Sequence, residues 1–221
     1  MGLLDTLLGR TKPVRANLDA LFALPSAAVT LQTAAGLVPS GAAGVCWQPP
    51  AGQSAEDVRR QIGQLLDIPD DGPTSTPERT STPEPTSTGP GAAAAPASVG
   101  SSLDQAQDTF GFQWLLLHDP DLEQLVTRAH LVNSTLTENG WGPQLLCSVF
   151  RFVPAADAAA GTAPLFLVYL YKRGTFYPFA PTGKQSRDNE LELRTRTVVG
   201  SDLPVEQDLT RWFPLWELPV R

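Results

Sequence analysis

Cysteine, histidine and methionine are scarce in this chain: two, two and one in 221 residues. Two cysteines cannot make a disulfide framework, and no CxxC or Cys/His spacing accompanies them, so a structural zinc site is excluded. Cys46 and Cys147 each sit in an apolar, strand-like run, which predicts small buried hydrophobes in a reducing cytoplasm. His118 and His130 are too few for a metal cluster, and no nucleophile–base–orienter set can be assembled around them from sequence. Long apolar runs are also missing. Nothing approaches the ~20 residues that a membrane span needs, and Asp5 and Gly9-Arg10 interrupt the N-terminal leucines too early for a signal peptide. The pair Gly183-Lys184 invites a phosphate-loop reading. It fails because Pro178 stands where the motif needs glycine and Gln185 where it needs Ser or Thr. No cofactor, metal, nucleic acid or small-molecule substrate is therefore expected.

What is present is unevenly charged. The formal charge is -7. Over residues 69–108 the acids are Asp70, Asp71, Glu78, Glu84, Asp104 and Asp108 against Arg79 alone, so 6 minus 1 leaves -5 there and only -2 elsewhere. The acidity belongs to one segment and says little against an acidic partner for the remainder. That segment, 69–107, carries Thr-Ser-Thr-Pro-Glu repeats, Gly-Pro-Gly and an alanine run. Such composition buries too little apolar surface to offset the entropy of ordering, and it predicts a disordered insertion.

The spacing around it predicts an α+β fold. Residues 17–24 read as a short helix, 28–33 and 44–48 as two strands, and 54–67 as a helix with Val58, Ile62, Leu65 and Leu66 at helical spacing. Beyond the insertion, Phe112, Trp114 and Leu116 alternate as a strand. Asp119 and Pro120 open a helix whose buried stripe is Leu122, Leu125, Val126, Ala129, Val132 and Leu136, and Gly140 ends it. Asn133 lies in this helix, where solvent or a neighbouring carbonyl would take its amide. Residues 145–153 and 165–172 predict two more strands, 176–179 a short third, and 186–199 a helix. Hairpins beside helices argue for a mostly antiparallel sheet with flanking helices, in a single domain interrupted by the insertion. The expected organisation is an N-terminal amphipathic segment at 1–12, half-domains at 13–68 and 108–221, and the insertion at 69–107.

Two surfaces stand out for recognition. Leu3, Leu4, Leu7 and Leu8 form one helical stripe followed by Arg10, Lys12 and Arg15, which suits core packing, a partner helix or weak contact with an anionic membrane. The run 167–188 starts as a strand, breaks at Gly174 and makes an aromatic, proline-bearing turn among Lys172, Arg173, Lys184 and Arg187. It predicts a fixed loop that gathers positive charge for an acidic partner. Trp212, Phe213, Leu215 and Trp216 predict a tail clasping the core.

Long, idiosyncratic stretches carry a family resemblance. They are GLLD at 2–5, LLGR at 7–10, NLDALFALPSAA at 17–28, AGVC at 43–46, VNSTL at 132–136, GPQLLCSVF at 142–150, LVYLYKRGTFYPFAPTG at 167–183, RDNELELR at 187–194 and DLTRWFPLW at 208–216. In these the chain resembles the PspA-associated protein PspAB family. The resemblance implies association with PspA, the helical membrane-remodelling protein of the phage-shock envelope-stress response, and it carries over no catalytic residues. It leaves the molecular role open; the leading expectation is a cytoplasmic, non-enzymatic adaptor or regulator that binds PspA or a PspA-containing assembly, peripheral to the inner face of the cell membrane. A membrane-surface sensor using the leucine stripe and an enzyme of unrecognised chemistry are the alternatives.

Overall fold

A computed structural model describes residues 16–50, 52, 55–65, 103–156, 163–216 and 218–221. Six antiparallel strands form its centre. In chain order they are β1 (Leu37–Trp47), β2 (Leu103–Gln107), β3 (Gln113–His118), β4 (Leu145–Pro154), β5 (Leu165–Leu170) and β6 (Thr175–Phe179), and in space they run β2-β3-β1-β4-β5-β6. Strand β1 comes from before the insertion and lies between β3 and β4 from after it. The two halves thus make one sheet, and neither half could bury its apolar surface alone.

The helices are α1 (Leu24–Ala35), α2 (Ala55–Leu65), α3 (Leu122–Leu136) and α4 (Asn189–Val199). A 3-10 turn, Leu18–Ala23, leads directly into α1. Residues 28–33 were expected as a strand on their β-branched and apolar content, and they are helical instead. Pro25 sits in the first turn of α1, where its missing N–H costs nothing, and Leu24, Ala27, Ala28 and Leu31 recur at the spacing that buries one helix face. Gly36, left-handed, closes the helix by donating to Gln32 and Leu31. By length and composition the stretch Leu18–Ala35 would also suit a membrane span. Here Leu21, Leu24, Ala27 and Leu31 are spent on the core.

Helices α1 and α3 cover the sheet face that carries Val45, Leu115, Ser148, Phe150 and Tyr169. Helix α3 starts two residues later than the proline predicted: Asp121 is the cap, accepting from the N–H groups of Glu123 and Gln124, while Asp119 accepts from Asp121. Its buried Asn133 donates to the Ala129 carbonyl at 2.7 Å and to Ser148 Oγ on β4 at 2.9 Å, a polar link from helix to sheet. The opposite face carries Gly44, Cys46, Trp114, Cys147, Val149, Val168 and Tyr177. The C-terminal segment packs on it, through Trp212 on Tyr177 and Val220 at Gly44. This explains why all of Leu165–Tyr169 is buried, since β5 is covered on both faces and reads as a continuous apolar run rather than an alternating one.

Strand β2 corrects the expected insertion boundary. Residues 103–107, assigned to the low-complexity segment, pair with β3 from Leu103↔Leu117 to Gln107↔Gln113. The remainder of the predicted insertion, 69–102, lies outside the described residues, as do the leucine stripe and the whole of 1–15.

Candidate functional site

The C-terminal segment builds the site. It joins the sheet at the outer edge of β6, where Phe176 donates to the Pro204 carbonyl at 2.8 Å and Glu206 donates to the Phe176 carbonyl at 2.7 Å. This covers an otherwise open sheet edge. The chain then crosses the face of the sheet that carries Tyr177 and Gly44. Trp212 stacks on Tyr177 with ring centroids 6.2 Å apart, Trp216 meets Phe179 edge-on at 5.4 Å, and Val220 reaches Gly44 on β1. A Cβ on Gly44 would fall 2.7 Å from Val220 Cγ2 and 3.1 Å from the Trp114 ring, so only glycine leaves room for this crossing.

Side-chain hydrogen bonds pin the segment. Arg173 and Thr175 bind the Glu206 carboxylate, Tyr177 Oη donates to the Phe213 carbonyl at 2.8 Å, and Arg187 donates to the Trp212 carbonyl at 3.0 Å. Arg187 is itself clamped. Its Nε lies 2.9 Å from both carboxylate oxygens of buried Glu192, whose Oε1 also accepts from the Ala180 N–H, and its guanidinium lies over the Phe179 ring. Burial pushes the Glu206 carboxyl upward, but hydrogen bonds from Arg173, the Asp208 N–H and Thr175 outweigh it and hold the group below its ordinary range. Burial also drives Tyr177 well above the usual phenol range, so it remains a hydrogen-bond donor to Phe213 at any ordinary pH.

Between this segment and the β2–β3 hairpin lies a groove of about 380 Å³. Cys46, Cys147, Trp114 and Leu170 contribute from the sheet, Phe110 and Phe112 from the hairpin, and Phe213 and Trp216 from the C-terminal segment. Its lining is almost wholly apolar. Phe110 and Phe213 are 64% and 57% exposed, yet the backbone beneath each is fixed. Asp108 Oδ1 accepts from the N–H groups of Phe110 and Phe112 at 2.9 Å each, and its Oδ2 accepts from Trp114 Nε1 at 3.0 Å. Two large aromatic side chains are therefore offered to solvent on a pre-ordered frame. No group of three or more Cys, His, Asp or Glu suited to a metal occurs among the described residues.

The four basic positions expected to converge do not form one patch. Lys172 and Arg173 occupy the β5–β6 turn, left-handed at Gly174, while Lys184 and Arg187 follow the other end of β6 in the small hairpin of β7 (Pro181–Gly183) and β8 (Ser186–Arg187). Five residues of strand put about 13 Å between those ends. Lys172, Arg173 and Lys184 are exposed, Arg173 being paired with Glu206, whereas Arg187 is largely buried against Glu192. Arg187 is thus a clamp on the protein's own tail rather than a presented charge. Sequence reading gave Phe110 and Asp108 no functional role. The signal was there in the spacing of Asp108, Phe110, Gly111 and Phe112 at a hairpin tip, but it fell at the margin of the low-complexity segment.

The described residues thus define an α+β domain with an apolar groove beside a pinned C-terminal strap. The family model for PspAB, PspA associated protein B, matches residues 1–82 and 93–220, and the chain belongs to that family. The family's name ties it to PspA of the phage-shock system, and it is not a known enzyme family. No curated protein and no solved structure matches the chain.

Proposed function

We propose that this chain is a non-enzymatic adaptor that docks directly on PspA through the apolar groove, at the cytoplasmic side of the cell membrane. The observation that carries the reading is the pair of exposed phenylalanines, Phe110 and Phe213, held on hydrogen-bonded backbone at the rim of an apolar channel. Apolar side chains from one face of an amphipathic helix fill such channels. Anchors that are already ordered lose less entropy on binding. Aromatics at the centre of an interface commonly dominate its energy. Lys172 and Lys184, exposed on either side of β6, add positive charge at a distance from the groove, where they would steer an acidic partner.

The test is binding to purified PspA without lipid. Phe110→Ala and Phe213→Ala should each weaken it by at least about tenfold, the scale of an interface hot spot, and leave thermal unfolding nearly unchanged because both side chains are solvent-exposed. Full affinity in both variants would remove the groove from the interface. The second reading, a membrane-surface sensor, is favoured by the leucine stripe Leu3, Leu4, Leu7 and Leu8 beside Arg10, Lys12 and Arg15. It requires that the chain float with anionic liposomes in the absence of PspA, and that removal of residues 1–12 abolish flotation.

A further inference from the structure

The pairing of β1 with β4 sets Cys46 directly opposite Cys147. Opposed residues of an antiparallel pair share a face, with Cα atoms about 4.5–5.5 Å apart, and a disulfide bridges Cα separations of about 4.4–6.8 Å. The two thiols are buried by their strand neighbours, yet both lie in the wall of the groove, which a small molecule can enter. They are also the only cysteines in the chain, so neither has a competing intramolecular partner. The docking reading uses the rim of the groove and leaves this pair without a role.

We propose that Cys46 and Cys147 form an oxidation site, at which hydrogen peroxide entering the groove converts the thiol pair to a cross-strand disulfide. In the first step one sulfur, as thiolate, attacks a peroxide oxygen. The S–O bond forms, the O–O bond breaks, and the departing hydroxide takes up a proton to leave as water. In the second step the other sulfur attacks the sulfenic sulfur. The S–S bond forms, the S–O bond breaks, and a second water leaves with the remaining thiol proton. The two thiols lose two electrons and two protons, and one peroxide is reduced to two waters. The hydrogen bond to Cys147, then burial, pushes the Cys46 thiol far above its ordinary value. Because the thiolate is the reactive form, oxidation of the pair runs faster as pH rises.

The experiment treats the full chain with hydrogen peroxide, removes the excess with catalase, then denatures and alkylates with N-ethylmaleimide. The expected product has lost two hydrogens, takes up no maleimide, and yields on non-reducing digestion a peptide joining Cys46 to Cys147. Dithiothreitol should restore two alkylatable thiols, and the rate should climb from about pH 7 to 9, as thiolate chemistry requires. Cys46→Ser and Cys147→Ser should each stop at a sulfenic acid that dimedone captures. Two maleimide adducts on the peroxide-treated wild type would overturn the proposal. So would sulfinic acid on the separate cysteines, or disulfides found only between molecules. The wild-type peptide map decides the matter even if a serine variant does not fold.

Discussion

Arg187 illustrates how far a residue's type can mislead about its role. Its neighbours Lys184 and Asp188 place it in a polar stretch, and sequence alone makes it one more surface charge. The fold instead gives it three tasks: neutralising buried Glu192, covering the Phe179 ring and holding the Trp212 carbonyl. Arg187→Ala would leave the Glu192 carboxylate buried without its partner, and breaking a buried pair in this way costs about 3–5 kcal/mol. Urea unfolding should show a loss of that size. The double variant Arg187→Met/Glu192→Leu should recover much of it, since a buried pair replaced by apolar groups is often neutral. Lys172 and Lys184 are the contrasting case. Neither has a structural task of this kind, so reversing both to glutamate should leave the unfolding midpoint nearly unchanged. Binding to PspA should instead slow in its association phase and become less sensitive to salt, the signature of lost electrostatic steering. Unaltered association kinetics across a salt series would withdraw these lysines from the recognition surface. None of this pairing was legible beforehand, because Glu192 and Glu206 look like ordinary helix and loop acids until the chain is folded.

At the scale of elements, periodicity served well where an element has one buried face and failed where it has two or lies between classes. Helix α3 buries five of its six predicted stripe residues, Leu125, Val126, Ala129, Val132 and Leu136; Leu122 is partly exposed and Asn133 joins the buried face. Residues 28–33 were misread because Val29 and Thr30 carry strand propensity. Propensity lost to tertiary packing, as Val29 points to solvent while Ala27, Ala28 and Leu31 are buried. The C-terminal segment has no period at all. Its aromatics announced a clasp, but the path across the sheet depends on Gly44 and on the carbonyls of Trp212 and Phe213, which no side-chain pattern reveals. Its anchor at Glu206 makes a pH prediction. The folded carboxyl is held below its ordinary value of 4.5, so the stabilisation it supplies is complete above that value and is lost as pH falls through the lowered folded value. Acidification below 4.5 should therefore release the segment before the sheet melts. Tryptophan fluorescence reporting Trp212 and Trp216 should shift at a higher pH than the far-ultraviolet circular dichroism of the sheet. Glu206→Gln should abolish that early step, and coincident transitions in the wild type would mean that Glu206 is not the anchor.

For the molecule as a whole, topology decides which part of the low-complexity segment is dispensable. Composition alone set its end at residue 107, since Asp104, Gln105, Ala106 and Gln107 look no more structured than the serines before them. Pairing with β3 is what makes Leu103–Gln107 a strand, and a lone edge strand carries little signal because half of it faces water. The family model passes over residues 83–92 and matches both sides, which locates the expendable part inside the segment rather than at its end. Two deletions of differing extent separate these statements. Removing residues 83–92 should leave the melting temperature within about a degree, because loop-closure entropy changes only slowly with length. Extending the deletion through residue 107 removes β2. It then exposes the outer edge of β3, and with it one wall of the hairpin whose Asp108 fixes Phe110 and Phe112. That variant should melt several degrees lower, as a loss of about 1 kcal/mol would produce in a domain of this size. It should also bind PspA as poorly as Phe110→Ala. Equal stability in the two deletions would mean that β2 contributes nothing to the sheet, and the groove would then have to be built by the C-terminal segment alone.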